Sequence, residues 1–161
     1  MAMTDGVQII EGDLNARGMR IGIIAAQFNE LIVDRLLDAA VGVARRHGAD
    51  TNDITVVRVP GAFEMPVVAT RMAGSGNYDA LIALGCVIRG ATPHFDYVAG
   101  EAASGLAAVS RQHEIAIGFG VLTVDTIEQA LERAGTKAGN KGADAALAAI
   151  ETAAVLRRIT S

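Results

Sequence analysis

A histidine set just past a turn of small residues marks where chemistry can happen in this chain. His94 closes the stretch Gly85-Cys86-Val87-Ile88-Arg89-Gly90-Ala91-Thr92-Pro93-His94, which Phe95 and Asp96 continue. Before it, residues 78–84 form an apolar run that reads as a buried strand, and after it comes a long helical pattern. Thr92 is a suitable N-cap and Pro93 suits the first helical position. His94 then falls in the first turn, where free backbone N–H groups and the positive end of the dipole gather. Such a turn can hold an anion beside an imidazole, and a neutral imidazole can serve as a general base near pH 7. Turn chemistry alone leaves a second reading open, a helix-end histidine bonded to its own turn.

Other residues share this potential, each with a plainer explanation beside it. Arg133 sits in the last turn of a short helix, where on its own it reads more as a dipole-compensating surface residue than as a functional one. Lys141 follows in a Gly-Asn-Lys-Gly turn, as a solvated lysine or as added positive charge. Phe28 lies just past the end of the first clear strand, the edge at which open α/β sheets bind ligands. It is one of 4 Phe, with 2 Tyr and no Trp in the chain, so its place there is informative, although a helix-entry staple would also account for it. Gly61-Ala62-Phe63-Glu64 also follows a strand, the second, and Glu64 in a first helical turn is ordinary as a dipole partner. Cys86 reads as a small buried residue and not as a nucleophile. The direction of Arg89 is open, and His47 and His113 read as helix-end surface residues.

The elements that must position these groups alternate, which points to α/β with a parallel sheet. Strands are expected at 20–26, 54–59, 78–84 and 115–121. A helix over 31–47 carries an apolar stripe at Ile32, Leu36, Leu37, Ala40, Val43 and Ala44. A short helix ends near Met72, and another runs from the His94 turn to about Gln112. Asp125-Thr126-Ile127-Glu128 looks like a capping box for a helix that Gly135 ends, and Gly139-Asn140-Lys141-Gly142 restarts an alanine-rich helix to about Arg158. Residues 1–6 are expected to be disordered. Residues 7–14 form an extra edge strand with no internal partner, which suggests that it crosses to a neighbouring subunit.

Composition narrows the classes. The 161 residues fit one domain, 1–161, with a proper core. Hydrophobic residues make up 51% and the mean hydropathy is +0.34, a hint of oligomerisation. The net charge of −4 gives no electrostatic footprint for nucleic acid. No apolar run is long enough to span a membrane, and the first residues lack the regions of a signal peptide. A single cysteine fits a reducing cytosol. There is no dinucleotide fingerprint, no phosphate-cradling Walker loop, and no cluster with metal-ligand spacing, so no metal is expected.

Four segments together resemble the lumazine synthase family. They are Ile88-Arg89-Gly90-Ala91-Thr92-Pro93-His94-Phe95-Asp96-Tyr97-Val98, residues 21–30, residues 59–66 and residues 132–142, in the family's order, and the likeness covers about residues 8–158. The resemblance implies a three-layer α/β/α sandwich, flavodoxin-like, with four core strands and an N-terminal strand exchanged with a neighbour. It implies a cytoplasmic transferase of riboflavin biosynthesis. This enzyme condenses 5-amino-6-(D-ribitylamino)uracil with 3,4-dihydroxy-2-butanone 4-phosphate and needs no cofactor. His94 would shuttle protons. Phe28 would stack on the pyrimidine, and Gly61, Ala62, Phe63 and Glu64 would hold the ribityl chain. Cys86, Val87, Ile88, Lys141 and the neighbour's Phe119 would complete the substrate pocket, while Gly90, Ala91, Thr92 and the neighbour's Arg133 would hold phosphate. A pentamer is implied. The uninterrupted turn over 135–142 and an N-terminal strand free of proline favour a sixty-subunit capsid, with riboflavin synthase as a further partner. Two alternatives share the scaffold: a paralogue resembling riboflavin synthase, against which the phosphate-binding residues argue, and a flavin- or lumazine-binding shell protein.

Overall fold

The computed structural model describes residues 3–159; Met1, Ala2, Thr160 and Ser161 lie outside the described residues. Four parallel strands form its centre: β1 (Ile21–Ala26), β2 (Ile54–Val59), β3 (Ala80–Ile88) and β4 (Ala116–Val124). Their order is β2-β1-β3-β4, so the chain moves to one side of β1 and then crosses to the other. Every residue of β1 is buried, as a strand with helices on both faces requires. β2 is an edge strand and is only partly covered, leaving Val56 40% exposed and Val59 buried.

Two helices cover each face. α1 (Glu30–Arg46) packs against α5 (Lys141–Ile159), and α2 (Met65–Gly74) packs against α3 (His94–His113). The expected stripe of α1 is buried at Ile32, Leu36, Ala40, Val43 and Ala44, with Leu37 partly buried and Val33 joining it. Burying a side chain such as Leu36 contributes about 1.5–3 kcal/mol. Gly48, at φ 108°, ends α1 with its N–H on the carbonyl of Arg45. At the same, amino end of the sheet, Arg20 pairs with Asp79 through Nε (3.2 Å) and a terminal nitrogen (3.1 Å), tying the approaches to β1 and β3.

The alanines of α5 have an internal use. Ala145, Ala146, Ala149 and Ala153 are buried, and a Cβ on Gly118 of β4 would stand 2.1 Å from the carbonyl oxygen of Ala145. A Cβ on Gly142 would meet the carbonyl oxygen of Leu36 at the same distance. The helix therefore lies backbone-close on both β4 and α1. Part of the apolar excess that hinted at oligomerisation is spent inside the chain.

Several local expectations shift. The strand expected over 78–84 runs Ala80–Ile88 and the one expected over 115–121 runs Ala116–Val124, because the apolar run of each continues past the expected end. The capping box before α4 (Ile127–Glu132) runs one residue later than expected: Thr126 Oγ1 accepts from Gln129 N (3.1 Å), while Asp125 N donates to Gln129 Oε1 (2.7 Å). Two tiny strands not foreseen, β5 (Ala134–Thr136) and β6 (Gly139–Asn140), form a hairpin between α4 and α5. Asn140 then caps α5, its Oδ1 accepting from the N–H groups of Gly142 (2.8 Å) and Ala143 (3.1 Å). His113 does end α3, but it is only half-exposed, and its Nε2 is buried without a partner among the described residues.

Of the stretch 1–6, residues 3–6 are exposed and turn so that Val7 N donates to Thr4 O (2.9 Å). Residues 7–14 pair with no strand among the described residues of their own chain. They lie beside α5 instead, where Arg158 donates to the Glu11 carbonyl and pairs with Asp13 at 2.5 Å. Val7, Ile9 and Ile10 remain exposed. Among the described residues, no helix is long and apolar enough to cross a membrane.

Candidate active site

The carboxyl ends of β1 and β3 lie side by side where the strand order reverses, which is where an open α/β sheet leaves a crevice for ligands. A cavity of about 720 Å³ opens there. The last residue of β1, Ala26, and the end of β3, Cys86, Val87 and Ile88, line it. Three connections make its walls: Phe28 and Asn29 after β1, residues 60–64 after β2, and the turn with the first helical residues after β3. The expected residues Phe28, Gly61, Ala62, Phe63, Glu64, Cys86, Val87, Ile88, Gly90, Thr92 and His94 all line it, and Ala91 lies in the turn between Gly90 and Thr92.

Local sequence explains each placement. Gln27 N donates to Val59 O (2.7 Å) and Phe28 N to Pro60 O (3.0 Å), so the β1 connection is laced to the β2 connection. Phe28 is left 73% exposed at the rim. A short 3-10 turn, Ala62–Glu64, leads into α2 with Pro66 in the helix's first turn, and it leaves Glu64 half-buried beside the cavity.

The turn before α3 differs from expectation. The helix begins at His94, and Pro93, at φ −70° and ψ 2°, stands at the cap with no side-chain cap bond. Because the proline is already near helical geometry, it starts the helix without Thr92 as cap, and Thr92 lines the cavity instead. His94 is exposed, and among the described residues its imidazole has no hydrogen-bond partner.

Burial pushes the Cys86 thiol up to about 11, so it stays protonated at neutral pH. That agrees with the reading of a packed cysteine. Arg89, whose direction the sequence left open, turns toward Asp125 (Nε, 2.9 Å) and Asp96 (3.4 Å), and its guanidinium lies 4.3 Å from the centre of the Phe95 ring. The hydrogen bond to Asp125, above all, raises its pKa, so the charge is permanent.

The remaining expected residues stand apart. Phe119, Arg133 and Lys141 line a second cavity of about 400 Å³ along the edge strand β4, together with Asp144. The two cavities share no lining residue. Phe119 is 38% exposed. Arg133 stands just after α4, donates to Gln129 O (3.0 Å), and has Glu132 at 3.7 Å. Lys141 is the first residue of α5 and is exposed. One chain thus carries an apolar, aromatic cavity with a histidine and a separate cavity with two cations.

Sequence reasoning missed several lining residues of the first cavity, among them Asn29, Phe95 and Tyr97. Asn29 is left-handed at φ 62°, and its Nδ2 donates to the Cys86 carbonyl at 2.7 Å, tying β1's connection to β3. The signal available was that asparagine tolerates this conformation better than other side chains. Tyr97 is three residues beyond His94 and so shares its helix face.

Comparison with known proteins adds a separate line of support. A model of the family described as 6,7-dimethyl-8-ribityllumazine synthase matches residues 18–157. A 6,7-dimethyl-8-ribityllumazine synthase of Nitratidesulfovibrio vulgaris (strain Miyazaki F) is 58% identical, across 95% of this chain and 98% of the relative. That of Desulfovibrio desulfuricans is 53% identical, with the same coverage of both chains.

Proposed function

The chain belongs to the 6,7-dimethyl-8-ribityllumazine synthase family, and we propose on that premise that it makes this lumazine. The substrates are 5-amino-6-(D-ribitylamino)uracil and 3,4-dihydroxy-2-butanone 4-phosphate. The 5-amino group forms an imine with the ketone and releases water, phosphate is eliminated, and ring closure releases a second water. The observation that carries the reading is the first cavity, in which an exposed aromatic, a carboxylate and an imidazole converge at the switch point of the sheet.

Phe28 offers a flat apolar face to the pyrimidine, and the backbone of Val87 and Ile88 lies beside it to bond the ring's edge. Gly61, Ala62, Phe63 and Glu64 face the ribityl hydroxyls, with Glu64 as acceptor. His94 takes and returns protons as the imine forms and rearranges, a contribution of about 10²–10⁴-fold in rate. The Gly90-Ala91-Thr92 turn and Arg133 hold the phosphate. Much of the remaining acceleration comes from holding two reactants in register.

The complete site forms between copies of the chain. The cavity with His94 receives the Phe119, Arg133 and Lys141 cavity of a neighbour, which accounts for half a site at each of two places. Exposed Phe28, Phe63 and Tyr97 support such a covering partner. The assembly is a cyclic pentamer in the cytosol. Residues 7–14 add a strand to the neighbour's sheet, and the unbroken turn before α5 favours closure of pentamers into a capsid. The test is to mix purified protein with both substrates and follow lumazine fluorescence and free phosphate together. Matched release of the two is expected; an intact oligomer that releases neither contradicts the proposal.

A further inference from the structure

We propose that Arg89 is a positioning residue that holds His94 and Arg133 in place at once, by clamping the first turn of α3 to the loop before α4. The inference rests on the condensation reading above.

The turn carrying His94 has no side-chain cap. The residues next to His94 are instead gripped from outside. The Arg89 guanidinium covers the Phe95 ring at 4.3 Å and donates to Asp96 at 3.4 Å. Phe95 itself forms part of the cavity wall, so the grip acts on the same turn that sets the imidazole.

The other side of the guanidinium leads to the second cavity. Arg89 Nε donates to Asp125 at 2.9 Å. Asp125 N donates to Gln129 Oε1 at 2.7 Å, and Gln129 O accepts from Arg133 at 3.0 Å. The backbone reinforces the link, since Arg89 N donates to Val124 O, the last residue of β4, at 2.8 Å. A continuous set of contacts therefore runs from the His94 turn to Arg133. Only a guanidinium has both a planar face for Phe95 and a fork that reaches two carboxylates; an ammonium is a single point charge.

Arg89, Asp96 and Asp125 are 47%, 64% and 66% exposed at their side chains. Exposed pairs of this kind contribute little to stability, which leaves geometry as their use. A misplacement of even about 1 Å at a reacting group can cost as much as about a hundredfold in rate.

The test uses the full-length assembled protein and measures kcat and both KM values for Asp96→Ala, Asp125→Ala, Arg89→Gln and Arg89→Lys. Asp96→Ala is expected to lower kcat about tenfold, which is about 1.4 kcal/mol, with KM for the phosphorylated ketone within about twofold of wild type. Asp125→Ala is expected to raise that KM about tenfold while kcat stays within about twofold. Arg89→Gln should show both effects, and Arg89→Lys should restore only part of either. An active wild type beside an Arg89→Gln variant with all three constants unchanged overturns the inference alone, as does a uniform loss that tracks lower Tm or oligomer mass in every variant. A wild type inactive on both substrates removes the condensation reading and this inference with it. Should Arg89→Gln fail to assemble, the split between the two aspartate variants decides: its presence supports the clamp and its absence overturns it.

Discussion

Cys86 shows how a single residue can line a reactive cavity and stay inert. It is 4% exposed, and burial pushes its thiol up to about 11 from an ordinary 9.0. At pH 8 the thiolate fraction is then about a hundredfold below that of a free thiol, because each pKa unit removes about a factor of ten. Iodoacetamide labelling at pH 8 is expected to be about a hundredfold slower than for a short cysteine peptide and to speed up as pH rises toward 11. Labelling at the peptide's rate would contradict the packed assignment. At this scale the sequence showed residue types well and conformations poorly. His94 stood out by its place just past a turn of small residues and Phe28 because aromatics are few in this chain, whereas Glu64, one of 18 carboxylates, was ordinary on its own. Asn29 did not, because its use depends on a left-handed backbone and a carbonyl 57 positions away along the chain. Arg89 could not be oriented for a similar reason: its nearer partner, Asp125, belongs to another connection.

Among the elements, the strands and long helices were legible because hydrophobic period and cap residues act locally. β2 falls at the expected 54–59, and α1 carries its expected stripe. The β5–β6 hairpin was not legible, since strands of three and two residues carry no period. The contact of α5 with β4 and α1 also depends on tertiary closeness, visible only as glycine on one side and alanine on the other. Gly118→Ala is expected to destabilise the fold by about 1–3 kcal/mol, lowering Tm by about 2–4 °C per kcal/mol, because its Cβ meets the Ala145 carbonyl. Gly100→Ala, in α3 with nothing within 4 Å of the added carbon, is the control and should stabilise by about 0.5–1 kcal/mol. Equal melting temperatures for the two variants would refute the close approach.

For the molecule as a whole, the fold was readable and the site was only half readable from one chain. The order β2-β1-β3-β4 places Phe28, residues 61–64 and His94 around one crevice. It places Phe119, Arg133 and Lys141 in another, with no shared lining residue. Spacing along a chain cannot say whether such halves meet within a copy or between copies. Residues 7–14 pose the same question, since they find no strand among the described residues of their own chain.

The measurement that bears most directly on a shared site is complementation, at a ketone concentration well below its KM, between two variants that each lack one half of the site. His94→Ala and Arg133→Ala are each purified, unfolded together in equal amounts, reassembled, and assayed for lumazine formation. If every site takes His94 from one copy and Arg133 from its neighbour, the mixture should recover about a quarter of wild-type activity, the chance that a random head-to-tail ring pairs two intact halves. Mixed oligomers with no more activity than the separate variants would contradict a site built between copies.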